Sequence, residues 1–121
     1  MKIKNLDEIL QKIDKIGQLS NAKEISLIKT VQYKGADCDE MEQLCLANMG
    51  WMINLSCQYK NRGLSLEELI EIAYEELWKY ILEYDYVKYP EDFRQYAIPI
   101  IRHCLDKAVE KPIYYNRNTI V

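Results

Sequence analysis

Residues 48–85, NMGWMINLSCQYKNRGLSLEELIEIAYEELWKYILEYD, decide the fold. Ser65 and Glu68 stand at the spacing of a capping box, in which a serine oxygen and a carboxylate each accept from a backbone N–H that the first helical turn leaves unpaired. A helix is therefore predicted to start there. Its apolar residues, Leu66, Leu69, Ile70, Ala73, Leu77, Ile81 and Tyr84, recur at threes and fours, while Glu67, Glu68, Glu71, Glu75 and Glu76 occupy other faces and make it markedly acidic. On the other side of the box, Met41, Leu44, Cys45, Asn48, Trp51, Met52, Leu55 and Tyr59 keep the same rhythm from Asp39 onward. This predicts a helix of about five turns, ended by Gly63.

Outward from this pair the pattern stays helical. Leu6, Ile9, Leu10, Ile13 and Ile16 form the stripe of a short first helix closed near Gly17. Asn21 with Glu24 gives a capping signal for a second helix, whose apolar face Ile25, Leu27, Ile28 and Val31 stops before Gly35. Asp85 to Glu91, with Pro90, reads as a loop. A fifth helix carries Ala97, Ile101, Cys104, Leu105, Ala108 and Val109 on one side, has Arg94, Arg102 and Lys107 elsewhere, and ends before Pro112. Pro99 is expected to kink its first turns if it begins as early as Asp92. The fold class predicted is all-α, a compact bundle of about five helices with short loops. Residues 1–36 supply the N-terminal helices, 37–112 the helical core and 113–121 a tail too short to classify, all within one compact domain of the 121-residue chain.

Composition excludes several classes of function. Only 4 Gly and 3 Pro leave little punctuation for a many-turned β-sandwich. No run of apolar residues is long enough to span a membrane, and MKIKNLDEIL lacks the apolar core of a signal peptide, so a cytoplasmic protein without membrane association is expected. Cys38, Cys45, Cys57 and Cys104 show no metal-ligand spacing and His103 is the sole histidine; neither a metal nor a disulfide framework is expected. No phosphate-binding glycine loop, nucleophile turn or paired acid and base stands out, so neither enzyme activity nor a cofactor is expected.

The net charge of −3 hides a segregation: residues 1–36 carry +3, residues 37–92 carry −9 and residues 93–121 carry +3. Such a layout suits a basic protein surface against the middle and a polyanion against the end. A solvated acidic face is the plainer explanation of the middle. Aromatics crowd the C-terminal part of the chain, Tyr74, Trp78, Tyr80, Tyr84, Tyr86, Tyr89, Phe93, Tyr96, Tyr114 and Tyr115 among them. Most of such a stripe is normally core. Interleaved with Arg94, Arg102, Lys107 and Lys111, some also have the composition of a surface that binds single strands by stacking and phosphate contacts.

Position by position, residues 48–85 resemble the second region of bacterial sigma-70 family factors, the RNA polymerase subunits that confer promoter recognition. The family writes an Asn, an apolar helix ending in Tyr, an RGLSL turn, a Leu-Ile pair, a further Leu and an aromatic-Asp ending. Here these are Asn48, Tyr59, Arg62-Gly63-Leu64-Ser65-Leu66, Leu69-Ile70, Leu77 and Tyr84-Asp85. Upstream, residues 6–37 resemble the short helical region that precedes this core in housekeeping-type factors, including a helix start at Leu19-Ser20. Downstream, Phe93, Tyr96-Ala97 and Ile101-Arg102 fall on the pattern of the promoter-melting helix.

The resemblance, over about residues 6–110, implies a sigma region 2-like domain without the C-terminal helix-turn-helix regions. It implies that the acidic helix docks on a coiled coil of the core RNA polymerase β′ subunit through Glu68, Leu69, Glu71, Ile72 and Glu75. It also implies that the last helix and the preceding loop engage the −10 element of promoter DNA. There Phe93 and Tyr96 would stack on an extruded base, Arg94, Arg102 and Lys107 would hold phosphates, and His103 and Asp106 would face upstream base pairs. Where the family has two adjacent tryptophans this chain has Pro99 and Ile100, and where it commonly has Gln-Glu-Gly this chain has Glu71-Ile72-Ala73. The first expectation is a reduced or split sigma factor, with −35 recognition supplied by a second polypeptide. A second is a sigma-like regulator or adaptor that binds a protein partner without opening DNA. A third is a domain of a longer sigma factor or mobile-element regulator.

Overall fold

The computed structural model describes residues 7–8, 10–12, 19–90 and 93–110. Among them the secondary structure is entirely helical, as the periodicity predicts. Residues 7–8 and 10–12 are helical (α1), and Lys12 Nζ lies 3.9 Å from Glu42 Oε1. The rest of the predicted first helix falls outside the described residues, as does the tail 113–121.

The second helix, α2, spans Asn21–Lys34. Its cap is Ser20, whose Oγ accepts from Lys23 N at 3.2 Å, rather than Asn21. Asn21 is thereby free to reach across the bundle, where its Nδ2 donates to Pro90 O at 3.2 Å and its Oδ1 accepts from Phe93 N at 3.4 Å. It thus caps the last helix from a neighbouring element. At the other end Gly35 takes φ 97°, a conformation costly for a residue with a Cβ, and its N–H reaches Val31 O.

The third helix, α3, spans Asp39–Cys57 and stops six residues before Gly63, earlier than the sequence suggests. Tyr59 leaves the helix to bury its ring, and its hydroxyl donates to Asp106 Oδ1 at 2.6 Å. Two left-handed residues, Asn61 at φ 64° and Gly63 at φ 106°, then reverse the chain. The fourth helix, α4, spans Leu66–Glu83, and both halves of the expected capping box are present at 3.1 Å. Its C-terminal carbonyls are met from α2, where Gln32 Nε2 donates to Ile81 O and Tyr84 O, each at 2.9 Å. Asp85 Oδ1 accepts from Val87 N and Lys88 N, making the connecting loop an Asx turn.

The last helix, α5, spans Phe93–Glu110 and runs through Pro99. Proline has no N–H, so the Gln95 carbonyl lacks its helical partner, and both residues are exposed, where water can serve.

The core lies around α4, which packs most extensively against α3 and α5. The expected stripe of α4 is inside at Leu69, Ile70, Ala73, Leu77, Ile81 and Tyr84; Leu66 is half-buried, and Tyr74, one of the crowded aromatics, joins the core. Leu27, Ile28 and Val31 of α2 enter the same core, so the N-terminal segment and the region that follows share one hydrophobic interior. Phe93 is fully buried, its ring edge-on to Tyr84 and 5.2 Å from both Tyr84 and Tyr80.

Candidate functional site

The register of α5 that buries Phe93, Ala97, Ile101, Leu105 and Ala108 turns Tyr96, Pro99, Ile100, His103 and Lys107 outward along one face. Tyr96 is 44% and Ile100 38% exposed, values high enough to make ring and methyls available to a partner. An open groove of about 450 Å³ runs beside this face, lined by Glu76, Pro99, Ile100, His103, Cys104 and Lys107. Its lining combines apolar surface with one acid and one fixed cation. Burial, aided by Glu76, raises the Cys104 thiol to about 11, so it stays protonated and presents surface rather than a nucleophile.

At the N-terminal end of the same face Tyr89 packs on Tyr96, ring centroids 5.0 Å apart. Lys88 Nζ stands 5.4 Å from the Tyr89 ring. Tyr89 belongs to the loop that Asp85 organises, and the sequence placed it among the crowded aromatics without assigning it to the site.

Around the helix from that face, Arg102 and Asp106 address the end of α3. Arg102 Nη1 donates to Gln58 Oε1 at 3.3 Å, and Asp106 accepts the Tyr59 hydroxyl. Burial, followed by the Asp106 carboxylate, pushes the Tyr59 phenol above its ordinary range, so it remains a donor. Asp106 therefore has a structural bond in hand, which accounts for a carboxylate one turn from Arg102. Arg102 remains exposed.

Two residues of the expected DNA-contacting set turn inward. Phe93, with no exposed surface, has neither ring face open to a base in this conformation. Arg94 is held against α2: its Nε lies 3.6 Å from Glu24 Oε1, and Nε and Nη2 are buried without a hydrogen-bond partner. Glu24 in turn accepts from Asn48 Nδ2 at 3.0 Å; Asn48 also donates to Leu44 O at 2.8 Å and accepts from Trp51 Nε1 at 2.8 Å. Burial raises the Glu24 carboxyl above the usual range, against the opposing pull of Asn48 and Arg94. A signal for this polar knot exists in the sequence. Glu24 stands three and four residues before Leu27 and Ile28, and Asn48 lies within the α3 stripe, so both polar side chains occupy core-facing positions.

On α4 the expected polymerase-contacting residues also divide. Leu69 is fully buried and belongs to the core. Glu68 is half-buried, with Oε1 accepting from Ser65 N in the capping box. Glu71 and Ile72 are half-exposed and Glu75 exposed, one turn apart on the outer side of the helix. Among the described residues, no group of acidic, cysteine and histidine side chains is arranged to hold a metal ion, and no helix is long and apolar enough to cross a membrane. No protein-family model matches this chain, and no curated protein matches it at a significant level.

Proposed function

We propose that this chain is a sigma factor-like transcription initiation protein that binds core RNA polymerase and the −10 promoter element. The observation that carries the reading is the ordered run of family-like residues from Asn48 to Arg102, combined with the surface positions of Tyr96, Arg102 and Lys107 on α5. Reading a base out of a duplex requires that its stacking be broken, and an open aromatic ring offsets that loss. Tyr96, backed by Tyr89, is the ring available for this; Arg102 and Lys107 supply phosphate contacts that weaken with salt. Glu71, Ile72 and Glu75 form the accessible part of the polymerase-docking surface.

The test is co-elution of the protein with core RNA polymerase at moderate salt, beside a Glu71→Lys/Glu75→Lys variant. These two positions are chosen over Glu68, whose replacement would also break the capping box. Co-elution of the wild type and its loss in the variant are expected; a wild type that never co-elutes defeats the reading.

A second reading, a sigma-like adaptor that binds a protein without opening DNA, is favoured by one observation. Pro99 and Ile100 make the groove wall apolar but not aromatic, and Phe93 is withdrawn. In that case the wild type co-elutes with polymerase, yet its affinity for a −10 non-template strand equals that for a scrambled strand.

A further inference from the structure

Arg94 occupies the second position of α5, where the aligned N–H groups of a helix start disfavour a cation. Its side chain is nevertheless only 22% exposed, and the charge facing it among the described residues is Glu24, itself 4% exposed and contributed by the first turn of α2. The pairing is incomplete: at 3.6 Å it is an ion pair without a hydrogen bond, and two guanidinium nitrogens stay buried without acceptors. A cation so placed is retained by the carboxylate's charge rather than by good hydrogen-bond geometry. Remove that charge and the unpaired guanidinium is driven toward water, which its long side chain can reach by rotation.

We infer that Glu24 is a latch that withholds Arg94 from anions, and that neutralising or withdrawing Glu24 turns Arg94 outward to contact a phosphate of single-stranded nucleic acid. The inference rests on the nucleic-acid reading of α5 and adds to it a control exerted by α2. The rearrangement is local. Asn21 holds the start of α5 through Pro90 O and Phe93 N, bonds in which Glu24 takes no part. Asn48 keeps its bond to Leu44 O, and a glutamine at position 24 would still offer it an acceptor.

The experiment is the salt dependence of binding to a labelled oligothymidylate by wild type, Glu24→Gln, Arg94→Gln and the double variant, with folding checked by far-UV circular dichroism. Each added phosphate contact to a single strand steepens the slope of log K against log salt by about 0.7. Wild type and Arg94→Gln are expected to share one slope, Glu24→Gln to be steeper by that amount, and the double variant to return to the wild-type value. A folded Glu24→Gln protein that binds with the wild-type slope overturns the latch while leaving the nucleic-acid reading intact. So does an Arg94→Gln slope shallower than wild type, since Arg94 would then already be engaged. If Glu24→Gln does not fold, the Arg94→Gln comparison decides alone. Absence of binding by all four proteins overturns both the latch and the nucleic-acid reading, and binding only after Glu24→Gln upholds the latch in its strongest form.

Discussion

Phe93 and Tyr96 lie three residues apart on α5, carry similar rings, and would be equivalent in any argument from composition; their surroundings separate them. Phe93 is enclosed by Tyr80 and Tyr84, whereas Tyr96 is nearly half exposed beside Tyr89. Truncating the first removes core volume, so Phe93→Ala is expected to cost about 3–5 kcal/mol in urea unfolding. Truncating the second removes surface area, and Tyr96→Ala is expected to change stability by less than about 1 kcal/mol. Fluorescence anisotropy with a −10 non-template strand should reverse the order: per unit of folded protein, Tyr96→Ala weakens binding and Phe93→Ala does not. A Tyr96→Ala protein with unchanged affinity would remove the stacking role from this ring. The sequence supported both rings equally, because a residue's place on an amphipathic helix is legible from its neighbours at three and four, but a position near the helix start can belong to either side. The burial of Phe93 depends on α4 being behind it.

At the scale of elements, local signals were the most legible. The Ser65–Glu68 capping box is satisfied by atoms within one turn, and Gly35 ends α2 because its φ of 97° suits a residue without a Cβ. Two boundaries were less legible for identifiable reasons. Ser20 and Asn21 are both competent caps, and the choice between them was made by Pro90 and Phe93, which engage Asn21 from about seventy residues away in sequence. The end of α3 was drawn back from Gly63 to Cys57 because the Tyr59 hydroxyl finds a carboxylate partner on α5. Pro99 offers a direct test at this scale. It sits in the interior of α5, exposed, and its local cost is the missing N–H and the ring's demand on the preceding turn. Pro99→Ala is therefore expected to raise stability, by up to about 3 kcal/mol on the helix-propensity scale. A thermal midpoint that falls in this variant would mean that proline shapes α5 to fit its neighbours. The same substitution read in the oligonucleotide assay would report whether the groove wall it forms takes part in binding.

For the molecule as a whole, the consequence of α2 entering the core is cooperativity. Leu27, Ile28 and Val31 pack into the interior shared with α4 and α5, while Asn21 and Gln32 tie the two ends of α2 to the α5 start and the α4 end. The second helix and the helices that follow it are thus expected to unfold together, with far-UV circular dichroism and tryptophan fluorescence giving coincident urea transitions. An earlier transition seen by Trp51 in a Trp78→Phe variant, where that ring alone reports on the polar knot with Asn48 and Glu24, would instead make α2 a separately melting unit. The sequence by itself determined the all-helical class, the faces that meet the core and most helix ends, since these follow from contacts within a turn or two of the chain. Tertiary structure alone decided that Phe93 is core, that Asp106 serves Tyr59, and that Arg94 is held by Glu24. Those outcomes join residues from different helices, and whether a side chain loses its water is set by what packs over it, which no local spacing records.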